Sequence, residues 1–190
     1  MNTIRDTKGE KQYRILENFW SSQLNSKIWL VNSVSSHLNM DMCGIIYIFG
    51  GWYGILAQIL SDKFKYTEIV SVDIDSECEY YGNMLKLPSD NITFVTADMQ
   101  TWNSYDNNVK LIVNTSTEHV EQEIYNKWLE NVPRNVLIAL QGNDFYSCNE
   151  HIRCCNTLED FKAANPLDKY LFQGTLDCQT FTRWMTLGYK

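Results

Sequence analysis

The residues of this 190-residue chain that could do chemistry fall into four short stretches. The first is Phe49-Gly50-Gly51-Trp52-Tyr53-Gly54, which follows the apolar run Ile45 to Ile48. Glycines after a buried strand allow a tight turn, and they let the backbone approach a ligand that a Cβ would exclude. A helix beginning there points its unpaired amides at the same spot. The stretch reads either as a cradle for a nucleotide or cofactor or as a structural turn. The second stretch is Asp73-Ile74-Asp75. Asp73 follows Gly54 by nineteen residues, a separation that places an acid to accept from ribose hydroxyls. Asp75 competes for that role, and a solvated strand-end carboxylate is the alternative. The third is Asp98-Met99, where Asp98 either accepts from an adenine amino group or caps a turn over Met99 to Trp102. The fourth is Asn114-Thr115-Ser116-Thr117-Glu118-His119. Asn114 can position an acceptor, and His119 offers an imidazole, the side chain best suited to general-base work at neutral pH. A histidine at a helix start with no chemistry is the other reading, and Glu118 would favour the helix dipole.

These stretches need elements to hold them, and the hydrophobic pattern supplies a series. Ile45 to Phe49, Glu68 to Asp73, Ile92 to Thr96, Val109 to Val113 and Asn135 to Leu140 read as five strands. Helical patterns fill the gaps: Ile55, Leu56, Ile59 and Leu60; a segment opened by a Ser76–Glu79 capping box and running to about Leu87; and Val120, Ile124, Trp128 and Leu129, with Pro133 past the end. Near-continuous apolar strands alternating with helices make a parallel sheet covered on both faces. Ligands of such sheets sit at the carboxyl ends of the strands, where all four stretches lie.

Outside this series the pattern changes. Residues 1–10 read as a tail. Ile15, Leu16, Phe19 and Trp20 mark a helix from about Lys11 to Leu24, and Ile28, Trp29, Val31 and Val34 mark a second. Together, residues 1–42 form an N-terminal helical segment able to lid the pocket. Residues 142–156 read as a polar loop, in which the Asn143-Asp144-Phe145-Tyr146 run lies on the same sheet edge as Asn114. Thr157 with Asp160 caps a short helix over Leu158 and Phe161. Tyr170 to Leu176 and Thr180 to Leu187 alternate as an antiparallel hairpin.

The chain carries 16 Lys and Arg against 23 Asp and Glu, for a net charge of -7, with no basic cluster. Such a surface repels phosphate backbones, so nucleic acid is the less favoured partner. No apolar stretch is long enough to span a bilayer and the N-terminus shows no signal-peptide pattern, so no membrane partner and a cytoplasmic location are expected. Six cysteines form no C-x-x-C pair, so no metal site is expected. The Cys148, His151, Cys154 and Cys155 group offers ligand types, with a thiol-rich loop as the alternative.

The order of these features resembles class I S-adenosylmethionine (SAM)-dependent methyltransferases. The resemblance is carried by Phe49 to Gly54, Val70-Ser71-Val72-Asp73, Thr96-Ala97-Asp98-Met99 and the hairpin from Phe172 to Leu187, and it covers residues 43–190. It implies an α/β, Rossmann-like three-layer sandwich with a mostly parallel seven-stranded sheet and a C-terminal antiparallel hairpin. It implies SAM as cofactor, with Gly50 to Gly54 around the methionine part, Asp73 at the ribose, Asp98 and Met99 framing the adenine, and Phe49 and Ile74 among the cofactor-binding residues. Asn114 would touch the cofactor and, with His119, act on the methyl acceptor. Two departures stand out: Ile48 occupies a position where the family often has an acid, and Trp52 replaces the middle glycine of Gly-x-Gly-x-Gly. A nicotinamide enzyme fits less well, because Gly50, Gly51 and Gly54 lack the Gly-x-Gly-x-x-Gly spacing. The acceptor is not named by the sequence, and a small molecule or protein is favoured. Enzymes that methylate adenine or cytosine amino groups in DNA carry prolines and an aromatic where Thr115, Ser116 and Thr117 stand. A non-catalytic SAM-binding partner or sensor, and an enzyme that degrades SAM, are the remaining alternatives.

Overall fold

The computed structural model describes Tyr13, Leu16, Glu17 and residues 19–39, 43–88 and 90–190. The expected tail over residues 1–10, and Ile15 of the first helical pattern, lie outside the described residues.

Five parallel strands form in the expected order: β1 (Gly44–Phe49), β2 (Thr67–Asp73), β3 (Ile92–Thr96), β4 (Val109–Asn114) and β5 (Leu137–Asn143). The hairpin of β6 (Lys169–Asp177) and β7 (Thr182–Tyr189) adds antiparallel to β5. The sheet order is β3-β2-β1-β4-β5-β7-β6, so strand order reverses between β1 and β4. Loops after those two strands flank the crevice in which open α/β sheets bind ligands. The expected seven-stranded, mostly parallel sheet with an antiparallel end is the one observed.

Period-two alternation sends β1 side chains to two separate cores. Ile46 and Ile48 join Leu30, Val31 and Val34 of α1 (Ser21–Ser35) and Leu56 and Leu60 of α2 (Ile55–Lys63). On the other face, Tyr47 and Phe49 pack with Trp128 of α4 (Gln122–Asn131) and Phe161 of α5 (Leu158–Ala164). The helix α3 (Ser76–Leu85) covers Phe94 beside α2, close enough that a Cβ on Gly82 would meet that ring at 2.5 Å. Helices on both faces give the three-layer sandwich. α1 shares its core with the sheet. Among the described residues no helix is long and apolar enough to cross a membrane.

Several local expectations are corrected. The second expected helix does hold Ile28, Trp29, Val31 and Val34, but it is longer than that set. It runs from Ser21 to Ser35 and takes in Leu24, the expected end of the first, because no Gly or Pro interrupts it, and extended Trp20 (φ -61, ψ 144) starts it. The Ser76–Glu79 capping box does not form. Asp75 is the N-cap, accepting from the Glu77 amide at 2.9 Å, while Glu79 reaches across to the amide and hydroxyl of Thr96. β5 starts later than Asn135, whose φ of 65 places it in a turn. It also continues through Gln141, Gly142 and Asn143, which pair with Met185, Trp184 and Arg183 instead of opening a loop. The hairpin turn spans Cys178 to Phe181, closed by the Cys178 amide on the Phe181 carbonyl. Thr157 caps α5 as expected, accepting from the Asp160 amide at 3.0 Å.

Candidate active site

The glycine turn after β1 is held by packing. Gly50 has φ 66, and a Cβ there would sit 2.1 Å from Ser116 Oγ. A Cβ on Gly51 would sit 2.0 Å from Ser71 Oγ, so β2 on one side and the segment after β4 on the other exclude a side chain. Gly54, at φ 89, is the left-handed N-cap of α2 and supplies no side-chain cap to its first amides. Those amides are the usual seat for a carboxylate or phosphate. Trp52 is also left-handed, at φ 50, a region that costs an ordinary L-residue about 1–2 kcal/mol. Its amide donates to Asp73 Oδ2 at 2.9 Å, and its ring stacks on Tyr53. Phe49 is fully buried against Trp102 and Trp128, leaving its backbone to face the turn.

Asp73 Oδ1 accepts from the Asp75 amide at 3.1 Å. An ionised carboxylate has about four acceptor sites, so two remain for hydroxyl donors. Ile74 beside it is 71% exposed, an apolar surface next to that acid. Asp98 caps the turn Met99–Thr101, accepting from the Gln100 amide at 2.8 Å. Asn114 is fully buried: Oδ1 accepts from the Ser116 amide at 3.0 Å, and Nδ2 lies 3.7 Å from Met99 Sδ. It thereby fixes the start of the segment after β4 against the turn after β3. Ser116 Oγ in turn reaches the Gly50 carbonyl at 3.4 Å. Glycine turn, Asp73 and the Asn114–His119 segment thus meet at one sheet edge.

Behind them lies a buried polar cluster. Glu118 is 2% exposed; Oε1 accepts from Arg183 Nη1 at 3.3 Å and from Asn143 Nδ2, and Oε2 has no partner among the described residues. Lys27 of α1 lies 6.0 Å from the Trp52 ring centre. Burial, aided by the Arg183 charge, pulls its ammonium down to about 7. α1 is clamped over this edge by Ser26 and Gln141, whose side chains bond at 3.0 Å while Gln141 Nε2 donates to the Ser26 carbonyl.

The loop after β5 folds back onto the same edge. Ile152 and Arg153 donate their amides to the Glu118 carbonyl. Arg153 also bonds the Thr117 carbonyl, Gln122 and Asn165, and lies 4.3 Å from the Tyr125 ring centre. This brings His151 edge-on to exposed His119, with ring centres 4.6 Å apart. Burial lowers the His151 pKa against the opposing pull of Glu118. Of the expected thiol group, Cys154 lies 3.8 Å from His151 Nδ1. Burial pushes its pKa to about 11, so it is not a thiolate nucleophile at neutral pH.

Lys27 and Arg183 were missed by sequence reasoning, although both left a signal. Lys27 falls in helical phase with Leu30, Val31 and Val34, and Arg183 alternates in phase with Met185 and Leu187. A cation on an apolar stripe marks a buried charge. A cleft of about 650 Å³ lined by Glu68, Asp90 and Asp106 lies at the opposite, amino-terminal edge of the sheet, away from all of these residues.

No protein-family model matches the chain, and no curated protein matches its sequence. Solved structures do match in fold. Magnesium protoporphyrin IX methyltransferase from Synechocystis PCC 6803, with bound S-adenosylhomocysteine (SAH), superposes with TM-score 0.69 at 10% identity, covering 100% of this chain and 92% of that one. The N-methyltransferase NodS from Bradyrhizobium japonicum WM9, also with SAH, gives TM-score 0.69 at 8% identity over 100% and 98% of the two chains. The PH0226 protein from Pyrococcus horikoshii OT3 gives 0.70 at 12% identity over 96% and 100%. At these identities the match establishes the fold alone, an α/β Rossmann-like fold shared with these solved structures.

Proposed function

We propose that this protein is a SAM-dependent methyltransferase. The observation that carries the reading is the Trp52–Asp73 bond, which joins a strand-end acid to the glycine turn, and that turn flanks the point where strand order reverses. The α2 N-terminus and Lys27 supply positive potential for the methionine carboxylate. Asp73 takes the ribose hydroxyls, Ile74 and Met99 offer apolar faces to the adenine, and Asp98 accepts from its amino group. SAM supplies an electrophilic methyl group, so the protein mainly aligns the acceptor, and alignment alone is worth several kcal/mol. Asn114 holds the segment that carries His119 at the acceptor side, where the imidazole can take a proton. The acidic surface favours a small-molecule or protein acceptor over nucleic acid. The fold shared with methyltransferases crystallised with SAH supports this reading.

The direct test is SAH formation from SAM in the presence of small-molecule, protein and nucleic-acid acceptor pools. Turnover dependent on one pool supports a transferase and names its acceptor class. SAM binding without turnover in any pool would make the protein a binder or sensor, and SAM loss without an acceptor would make it a SAM-degrading enzyme.

A further inference from the structure

Glu118, His119 and His151 stand together although two come from the segment after β4 and one from the loop after β5. One donor atom from each lies within 4.8 Å of the others. Three features beyond proximity prepare them as ligands. First, His151 Nδ1 lies 2.8 Å from the Phe145 carbonyl oxygen, which can only accept. Nδ1 therefore carries the proton and Nε2 keeps its lone pair, the arrangement by which proteins orient metal-binding imidazoles. Second, Glu118 Oε2 is buried without a partner among the described residues, while Oε1 is fixed by Arg183 and Asn143. A buried carboxylate oxygen left unpaired is costly, and a bound cation would satisfy it. Third, the Glu118 carbonyl takes the amides of Ile152 and Arg153, so His151 is tied to Glu118 by backbone bonds.

We propose that Glu118, His119 and His151 form a divalent transition-metal site at the acceptor side of the active centre. Two imidazoles and one carboxylate are the ligand set of open, catalytic metal sites, which leave a position for water or substrate. The set favours an ion of the zinc or manganese type over magnesium, which prefers oxygen ligands alone. Donors around a zinc-sized ion sit about 3.4 Å apart, given bonds of about 2.1 Å. Closing separations of up to 4.8 Å to that spacing needs a shift of at most about 1.4 Å, to which exposed His119 can contribute. Arg183 withdraws part of the Glu118 charge, so the filled site is net positive and calls for an anionic oxygen in the open position.

The role of the ion rests on the methyltransferase reading; the site itself does not. It names an acceptor class: a hydroxyl compound, whose oxygen takes the one open position. Coordination lowers the hydroxyl pKa, so with the ion bound His119 acts as its ligand in place of a free base, and the proton passes to solvent water. The oxyanion forms the new C–O bond to the methyl carbon as the C–S bond breaks, its electron pair staying on sulfur to give SAH. No oxidant or reductant is required.

The test titrates Zn²⁺ into chelator-treated, reduced protein by calorimetry, with SAH binding measured on the same samples. Wild type and Cys154→Ser should bind one equivalent. His119→Ala and His151→Ala should each lose more than about tenfold in metal affinity, since even removing a supporting partner of a ligand costs tenfold or more. SAH affinity should stay within about threefold in all four. Wild type that binds SAH but no Zn²⁺ overturns the site, as does undiminished Zn²⁺ binding in the double histidine variant. Loss of the ion in Cys154→Ser with both histidine variants intact would assign it to the thiols and overturn it too. Zn²⁺ binding that follows the histidines without any SAH binding would uphold the site and remove the methyltransferase reading.

Discussion

The Trp52 amide donates to Asp73 Oδ2 at 2.9 Å, so the acid that ends β2 also shapes the turn that ends β1. One carboxylate therefore serves the fold and the ligand. Asp73→Ala should weaken SAH binding by roughly tenfold to a hundredfold, matching about 1.5–3 kcal/mol for hydrogen bonds to a charged group. It should also lower the stability of the unliganded protein by about 1 kcal/mol, read from urea unfolding. Asp75→Ala removes a helix cap at a similar stability cost, but should spare affinity. A larger loss of SAH affinity in Asp75→Ala than in Asp73→Ala would show that the ribose acid is misassigned.

Trp52 stands at φ 50, where the methyltransferase pattern has glycine. Trp52→Gly and Trp52→Ala both lose the ring contact with Tyr53, and they differ mainly in the cost of a left-handed Cβ. Chemical denaturation should find the glycine variant more stable than the alanine variant by about 1 kcal/mol. Equal stability would mean that the turn relaxes and that the positive φ stores nothing.

Lys27 couples the fold to pH. Its pKa falls from 10.5 to about 7 through burial and Arg183, so between these values the unfolded chain binds the extra proton and the folded one does not. Stability contributed through Lys27 should rise as pH climbs from about 7 toward 10.5, and Lys27→Met should flatten that rise. A ligand carboxylate beside Lys27 would restore its charge. Calorimetry of SAH binding at pH 8 in buffers of different ionisation enthalpy should therefore show proton uptake in wild type and none in Lys27→Met. Absence of uptake in wild type places the carboxylate elsewhere.

His119 is exposed, so its replacement should leave the fold intact. His119→Ala should keep the melting temperature and hold SAH affinity within about threefold, while turnover on an identified acceptor falls a hundredfold or more. Asn114→Ala differs, because the buried amide bridges Ser116 and Met99. It should lose stability as well as turnover. Unchanged turnover in His119→Ala would move the reaction centre away from the segment after β4.

The parallel sheet was legible because Ile45–Phe49 and its counterparts are continuous apolar runs, and hydrophobic burial leaves them few other solutions. The carboxyl-edge placement of Gly50, Asp73, Asp98 and Asn114 followed from that order. What stayed hidden depends on long-range contacts. Glu118 reads as an ordinary acid at a helix start, yet Arg183, 65 positions later, pairs with it from β7. His151 reads as one member of a thiol-rich loop, and only the amides of Ile152 and Arg153 on the Glu118 carbonyl carry it to His119. The Ser76 cap failed as an expectation because Asp75, one residue earlier, competes for the same amides and Glu79 prefers Thr96.

The central claim is that this sheet edge holds SAM, and calorimetric titration with SAH, with NAD as the comparison, tests it most directly. One equivalent of SAH should bind with micromolar-range affinity, about 8 kcal/mol, with Asp73→Ala weakened by at least tenfold and NAD giving no heat. Binding of NAD with no binding of SAH or SAM would contradict the account.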